Sequence, residues 1–466
     1  MEAEMKCSPS YRAWSRLAAA IATVIVMCAA FMPARGQDID PAAYRHRRER
    51  LAKMAKEGIV VVQSVPYDQR GLTEYLIDDS DNHDFLYLTG LPSTPGTLVL
   101  LPQSTDFPEV LFVPAALIDA ARSRSGVATV LPDDQLNNVL GDALTDYSMK
   151  RMTERRHKLV STEMARVLSL TPKKPFYFNY PRYISLAGEL PARIQLAERL
   201  RMFSPDVELR NATPFLTWLR VRHDSADLAI ITAAMRIGTE GLIAAMKACK
   251  PGAYDYQVDA TAEYAFKMAG ASRLAYPSLV YISPFTRTVK PLSAAEIAAS
   301  TEPLSALHQM EAGDLVMLDA GAEYHHYATD LSRMVPVSGT FNPEQRRLYE
   351  AVLAAHHAAV AAIRPGATFK QVHEAAVAEL RSRGLDQYFT FGTSHLIGMD
   401  AHDPGNYEEP LAPGMILTVE PGVIINPRNI TIHVEDMILV TEEGHKNLSE
   451  SVPIETADVE KLLAVR

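Results

Sequence analysis

An α/β fold in two units is what this sequence predicts, and three observations carry that reading. In the first half, strand-like apolar runs alternate with helical stretches, the pattern of a mixed α/β domain. In the second half, a helix–helix–strand–strand unit recurs in degenerate form. Over the whole chain of 466 residues, 47% are hydrophobic and 22% charged, which is ordinary globular composition for domains with true cores.

The first unit is expected over residues 38–211. Tyr44 to Val62 reads as a helix running into a buried strand. Asp84 to Gly90 and Thr97 to Pro102 read as strands with turn punctuation, and Val110 to Val113 as another. Leu190 to Arg201 reads as a helix, with Pro191 suited to a first helical position.

The second unit is expected over residues 213–466. Ser225 is a plausible N-cap for a long Ala-rich helix ending at Lys250-Pro251-Gly252. Asn342-Pro343-Glu344 opens another, which ends at Arg364-Pro365-Gly366. Pro251-Gly252-Ala253 matches Pro365-Gly366-Ala367, Gln257-Val258 matches Gln371-Val372, and Gly270 matches Gly384, all 114 residues apart. Gly313 to Gly321 then matches Gly414 to Gly422, and Asp330 with Gly339 matches Glu435 with Gly444. The second half therefore reads as two copies packed about a pseudo-two-fold axis, with length differences confined to loops.

Composition excludes several classes of function. Lys+Arg total 46 and Asp+Glu 56, a formal net charge of −10. The basic clusters Arg45 to Arg50 and Arg151 to His157 are short and read as solvated helix faces, so nucleic acid is not an expected partner. The three cysteines, Cys7, Cys28 and Cys249, cannot build a disulfide framework or a Cys-rich zinc site, and Cys249 reads as a packed helix residue. No dinucleotide loop, Walker loop, His-Glu-x-x-His or Gly-x-Ser-x-Gly motif is present. Residues 1–36 read as a secretory signal: Lys6, Arg12 and Arg16 precede an apolar run from Leu17 to Phe31, and Ala34-Arg35-Gly36 offers a cut before Gln37. The expectation is an exported protein, periplasmic or extracellular, without stable membrane insertion after cleavage; a retained anchor is the alternative.

The repeat also aligns acidic residues: Asp319 with Glu420, and Asp330 with Glu435. The first pair follows the apolar runs Val316-Met317-Leu318 and Leu417-Thr418-Val419. Carboxylates rarely enter such surroundings unpaired, because desolvating their charge costs several kcal/mol. Four converging carboxylates would repel one another, and two divalent cations would neutralise them; oxygen-rich ligation suits a hard ion such as Mn²⁺. His395 is the natural fifth ligand. The adjacent His325-His326 pair is expected in a loop near the rim and is left unassigned.

These motifs resemble the metallopeptidases of the methionine aminopeptidase, aminopeptidase P and prolidase group, whose catalytic domain has the pita-bread fold. Asn82 to Gly90 is similar to the signature of the aminopeptidase P and prolidase (creatinase-like) N-terminal domain. The resemblance implies that Asp319 chelates one metal, His395 and Glu420 the other, and that Asp330 and Glu435 bridge the pair. It implies that Glu420 moves the proton from nucleophile towards leaving nitrogen, and that His402 assists at the scissile amide. It further implies two Mn²⁺ ions, a peptide substrate with proline second, removal of the residue ahead of that proline, and a homodimer or homotetramer.

Three departures from the family pattern bear on substrate choice. Phe391 stands where relatives carry a His, His433 where they carry an Arg, and Ala298 to Pro303 lacks a His expected upstream of the first ligand strand; His308 lies nearer. The metal cage is therefore expected intact and the substrate surroundings altered. A prolidase-like dipeptidase, another amide hydrolase, and a weakly active or inactive metal-binding descendant are the alternatives.

Overall fold

The computed structural model describes residues 39–56, 58–64, 82–92, 94–102, 108–136, 175–180, 192–203, 207–285 and 309–466. The signal-like segment, the Arg151 to His157 cluster, Pro191, the Ala298 to Pro303 stretch and His308 lie outside the described residues.

The first unit is built on a six-stranded mixed sheet. Its strands are β1 (Ile59–Ser64), β2 (Gly96–Leu100), β3 (Glu109–Val113), β4 (Val130–Pro132), β5 (Phe176–Phe178) and β6 (Leu209–Asn211), in the order β4-β3-β2-β1-β5-β6. β1 to β3 pair antiparallel as neighbours, while β4, β5 and β6 join in parallel. The Val-rich β1 is buried along nearly its whole length, which explains its unbroken apolar run. Among the described residues, helices α1 (Pro41–Ala55), α2 (His83–Thr89), α3 (Ile118–Ser125) and α4 (Ala192–Phe203) accompany the sheet.

Two sequence expectations are corrected here. Asp84 to Thr89 is part of helix α2 and not a strand; all seven residues of α2 are buried. A short, wholly buried apolar run carries no periodicity to separate helix from strand. Two of the α1 arginines, Arg47 and Arg48, are also not on a solvated face, while Arg45 is exposed as expected. Arg47 and Arg48 are 0% and 1% exposed. Arg48 makes a bidentate pair with Glu109 and donates to the Leu88 and Ser125 carbonyls. Arg47 donates to Asp224 at 2.9 Å and to Asp227 at 2.7 Å. These partners lie far along the chain, so the local sequence shows only a basic run.

The second unit opens with α5 (Thr213–Arg220), α6 (Ser225–Ala248) and α7 (Asp255–Ala269). Asp224, not Ser225, caps α6: its carboxylate accepts from Ala226 and Asp227, and Asp227 returns the bond in a capping box. α6 is long and apolar enough to cross a bilayer, but it packs against α7 and serves as a core helix. Cys249 follows it, fully buried, with its thiol pushed up to about 12 by that burial.

Strands β7 (Arg273–Leu274), β8 (Leu279–Pro284), β9 (Asp314–Asp319), β10 (Ala322–Tyr324), β11 (Tyr327–Ala328) and β12 (Ser332–Pro336) follow. The second copy comprises α8 (Pro343–Ala362), α9 (Phe369–Ser382), β13 (Ile416–Val419), β14 (Gly422–Ile425), β15 (Ile430–His433), β16 (Asp436–Val440) and β17 (His445–Asn447); α10 (Thr456–Leu463) closes the chain. Asn342 caps α8 with Pro343 at the first helical position, as expected.

The copies match bond by bond. Gly252 N–H donates to the Met310 carbonyl at 2.8 Å, and Gly366 N–H to Leu411 at 2.8 Å. Gln257 accepts from Tyr254 N–H at 3.0 Å, and Gln371 from Thr368 N–H at 3.0 Å. β9 pairs antiparallel with β12, and β13 with β16, so each copy forms a hairpin-like frame. The register sets Asp319 opposite Ser332, and Val419 opposite Asp436. All four aligned acids thus fall at one end of these paired strands.

Burial of the Arg47 pairs generates a stability prediction. Burial raises the Asp227 carboxyl, but Arg47 and then His223 outweigh it and leave it below the usual 3.8. The resulting stabilisation is fully present above that ordinary value and is lost as pH falls through the lower, folded-state one. Denaturant titration of Arg47→Ala should show a loss of about 3–5 kcal/mol, since it strands the buried Asp227 carboxylate. Asp227→Asn should flatten the acid limb of a melting-temperature profile; an unchanged limb would contradict the assignment.

Candidate metal centre

Each acid is delivered by a strand end. Asp319 is the last residue of β9 and Glu420 directly follows β13. Asp330 lies two residues before β12, and Glu435 directly precedes β16. Between them, Gly321 and Gly422 sit where the return strands close in. A Cβ on Gly422 would stand 2.7 Å from the Ile432 carbonyl oxygen, and one on Gly321 would overlap the Thr329 carbonyl. The two copies meet at a bridge between Ser332 and Glu435, where Glu435 N–H donates to the Ser332 carbonyl at 3.1 Å.

The five expected ligands come together. Potential ligand atoms of His395, Glu420 and Glu435 lie within 4.8 Å of one another, and so do those of Asp330, His395 and His402. A further group within 4.8 Å joins Asp319 and Glu435 to His433. His395 Nε2 is 3.4 Å from Glu420 Oε1, 3.5 Å from Asp330 Oδ2 and 3.9 Å from Glu435 Oε1. His402 is exposed and stacks on His395, with ring centroids 3.9 Å apart.

The electrostatics are those of a site short of positive charge. Asp319 is pushed up to about 6, by burial first and then by Asp330. Glu435 is held well above the usual carboxylate range by burial, then by Asp330, Glu420 and Asp319. Burial would lower His395, but the facing Asp330 and Glu420 raise it. His402, exposed at one side, is lowered by the desolvation of its covered face and by the neighbouring His395. Carboxylate oxygens joined by imidazole nitrogens, with no cysteine in these groups among the described residues, fit divalent cations of the Mn²⁺, Co²⁺ or Zn²⁺ kind.

Several participants were not foreseen. The Tyr276 hydroxyl lies within hydrogen-bond reach of both Asp319, at 2.7 Å, and Asp330, and its single proton ties the two acids together. Thr418 donates to Glu420 Oε1 at 3.1 Å and accepts from His395 N–H at 3.0 Å, tying two expected ligands together. A buried Thr inside an apolar strand was the available signal. The N-terminal unit reaches the same loop: His83 bonds Asp400, and Arg220 bonds Asp84, Asp400 and Asp403, the last two flanking His402. His325 and His326 form the β10–β11 turn, both with positive φ, and His326 faces His83 with ring centroids 6.4 Å apart. Of the departures from the family pattern, Phe391 and His433 meet edge to face, 5.7 Å between centroids.

Comparison with known proteins agrees with this geometry. The model of metallopeptidase family M24 matches residues 229–442, a span holding all five acid and histidine positions. The Xaa-Pro dipeptidase of Pyrococcus furiosus is 30% identical over 260 residues, covering 55% of this chain and 71% of the relative. The chain belongs to metallopeptidase family M24. The Xaa-Pro aminopeptidase of Haemophilus influenzae is 29% identical over 293 residues, covering 55% of this chain and 64% of its own length. This chain therefore spans just under two thirds of that relative. The solved structure of proline aminopeptidase P II from Yersinia pestis superimposes with a TM-score of 0.69, at 27% identity, covering 92% of this chain and all of the other. The α/β fold with a pita-bread catalytic half is thereby established.

Protons and a cation must compete for these acids. Because burial and mutual repulsion raise Asp319 to about 6, the affinity for Mn²⁺ should fall as pH drops through that value, with protons released on binding. Calorimetric titration at several pH values, in buffers of different ionisation enthalpy, measures both. Affinity flat with pH and no proton release would contradict binding at these acids.

Proposed function

We propose that this protein is an exported dinuclear-metal aminopeptidase that removes the N-terminal residue from peptides with proline second. The observation that carries the reading is that Asp319, Asp330, His395, Glu420 and Glu435 fall in overlapping groups of ligand atoms, each within 4.8 Å. Relatives named Xaa-Pro aminopeptidase and Xaa-Pro dipeptidase support the substrate class. In this reading Asp319 would hold one ion and His395 with Glu420 the other, and Asp330 and Glu435 would serve both. Mn²⁺ is the proposed ion, and the exported form is proposed from the signal-like residues 1–36. A homodimer or homotetramer is the proposed assembly.

Two bound cations would supply a nucleophilic water at neutral pH and polarise the scissile carbonyl. The chain's own residues do the rest. Glu420, oriented by the Thr418 hydroxyl, takes the proton of the attacking water on a carboxylate oxygen and passes it to the leaving nitrogen. His402, held below the ordinary imidazole range by partial desolvation and by the neighbouring His395, offers one N–H to the oxygen that gains charge in the tetrahedral intermediate. Arg220, bonded to Asp400 and Asp403, fixes the loop on which His402 stands. Phe391 presents an apolar ring where a hydrogen-bonding side chain would otherwise meet the peptide.

The test is cleavage of an Xaa-Pro-Xaa tripeptide by the mature protein loaded with Mn²⁺. Release of the first residue should depend on proline in the second position. Glu420→Ala should lower kcat by at least about 100-fold. Glu435→Ala should lose both metals and all activity, read by elemental analysis beside the assay. Cleavage of Xaa-Pro dipeptides alone would favour the dipeptidase reading, which the Pyrococcus relative supports. Two metals retained by Glu435→Ala would contradict the bridging role.

A further inference from the structure

We propose that His433 is a sixth protein ligand of the metal centre, holding through Nε2 the cation on the Asp319 side. Each of the two ions then carries one imidazole. The inference rests on the dinuclear reading above and concerns a residue outside the expected ligand set.

Three observations carry it. The ligand atoms of Asp319, His433 and Glu435 lie within 4.8 Å of one another, matching the group formed by His395, Glu420 and Glu435. The two groups share Glu435, and each holds one imidazole. The two rings are also held alike. His433 Nδ1 is 3.0 Å from Ser332 Oγ and its Nε2 is 3.4 Å from Glu420 Oε2. His395 Nδ1 is 3.2 Å from the Leu396 carbonyl and its Nε2 is 3.4 Å from Glu420 Oε1. An imidazole that binds a metal characteristically spends its other N–H on a protein acceptor, which sets both tautomer and ring direction. Finally, the ring is enclosed: His433 is 7% exposed, Ser332 is fully buried, and the Phe391 edge covers one side without offering a competing hydrogen bond.

The chemistry of the substitution points the same way. A guanidinium at this position is permanently protonated and has no lone pair to donate to a cation. An imidazole there replaces a fixed positive charge beside the centre with a nitrogen donor. Phe391, packed against the ring, offers no hydrogen bond that could turn Nε2 away from the acids.

The experiment loads the full chain with Co²⁺. Elemental analysis measures stoichiometry, and X-ray absorption counts imidazoles per cobalt. The proposal expects two ions with an average of one imidazole each. In His433→Arg, which can still donate to Glu420 but cannot ligate, the average should fall by half. The weaker ion should lose at least the ~10-fold in affinity that even an outer-shell partner is worth. His433→Gln serves if the arginine variant does not fold. Two ions with one imidazole between them in the unaltered protein, and the same count in the variant, would overturn the proposal while leaving the dinuclear centre intact. Failure of the unaltered protein to bind Co²⁺ would overturn both.

Discussion

Four carboxylates meet in a half-enclosed space, and the rest of the molecule is arranged around that conflict. Each acid carries a charge that burial penalises and that its neighbours repel. Left to themselves they would take up protons or splay apart. The two copies of the second half prevent the splaying. Paired strands deliver the acids at fixed register, and the Ser332–Glu435 bridge joins the copies where the charges are densest. The glycines after Asp319 and Glu420 allow the returning backbone to approach without displacing the strand ends. The stored repulsion makes the site avid for cations, since a divalent ion gains from every carboxylate it touches.

Around this point, polar side chains set direction more than they add stability. Tyr276 aligns Asp319 with Asp330, and Thr418 aligns Glu420 with His395. The N-terminal unit contributes from a distance. Arg47 pairs with Asp224 and Asp227 at the start of α6, and His83 bonds Asp400 in the His402 loop. A buried charge pair of this kind is costly to break, so the docking of the two units and the placement of the loop are set together.

Much of this was legible in the sequence because the repeat is legible. Matching Pro-Gly turns and acids at matching positions pointed to two copies and to one convergent site, and the structure brings those acids and His395 into overlapping groups. What could not be read has physical causes. Asp84 to Thr89 is apolar without a period, and its helical state follows from being enclosed on all sides. The Arg47 and Arg48 partners lie 40 or more residues away in the chain, so a core pair looks like a solvated patch. Asp224 and Ser225 are both good caps, and only the capping box with Asp227 decides between them. Tyr276 and Ser332 carry no local pattern at all. Phe391 and His433 stood out as departures, yet their contact with one another depends on the close approach of the His395 loop to β15, which no spacing reveals.

The central claim is that these acids and histidines hold two cations that share Glu435 and Asp330. Anomalous diffraction at the manganese edge, from crystals grown with Mn²⁺, tests it most directly. The account predicts two peaks, one beside Asp319 and one beside His395 and Glu420, with Asp330 and Glu435 reaching both. A single peak, or none between these side chains, would contradict it.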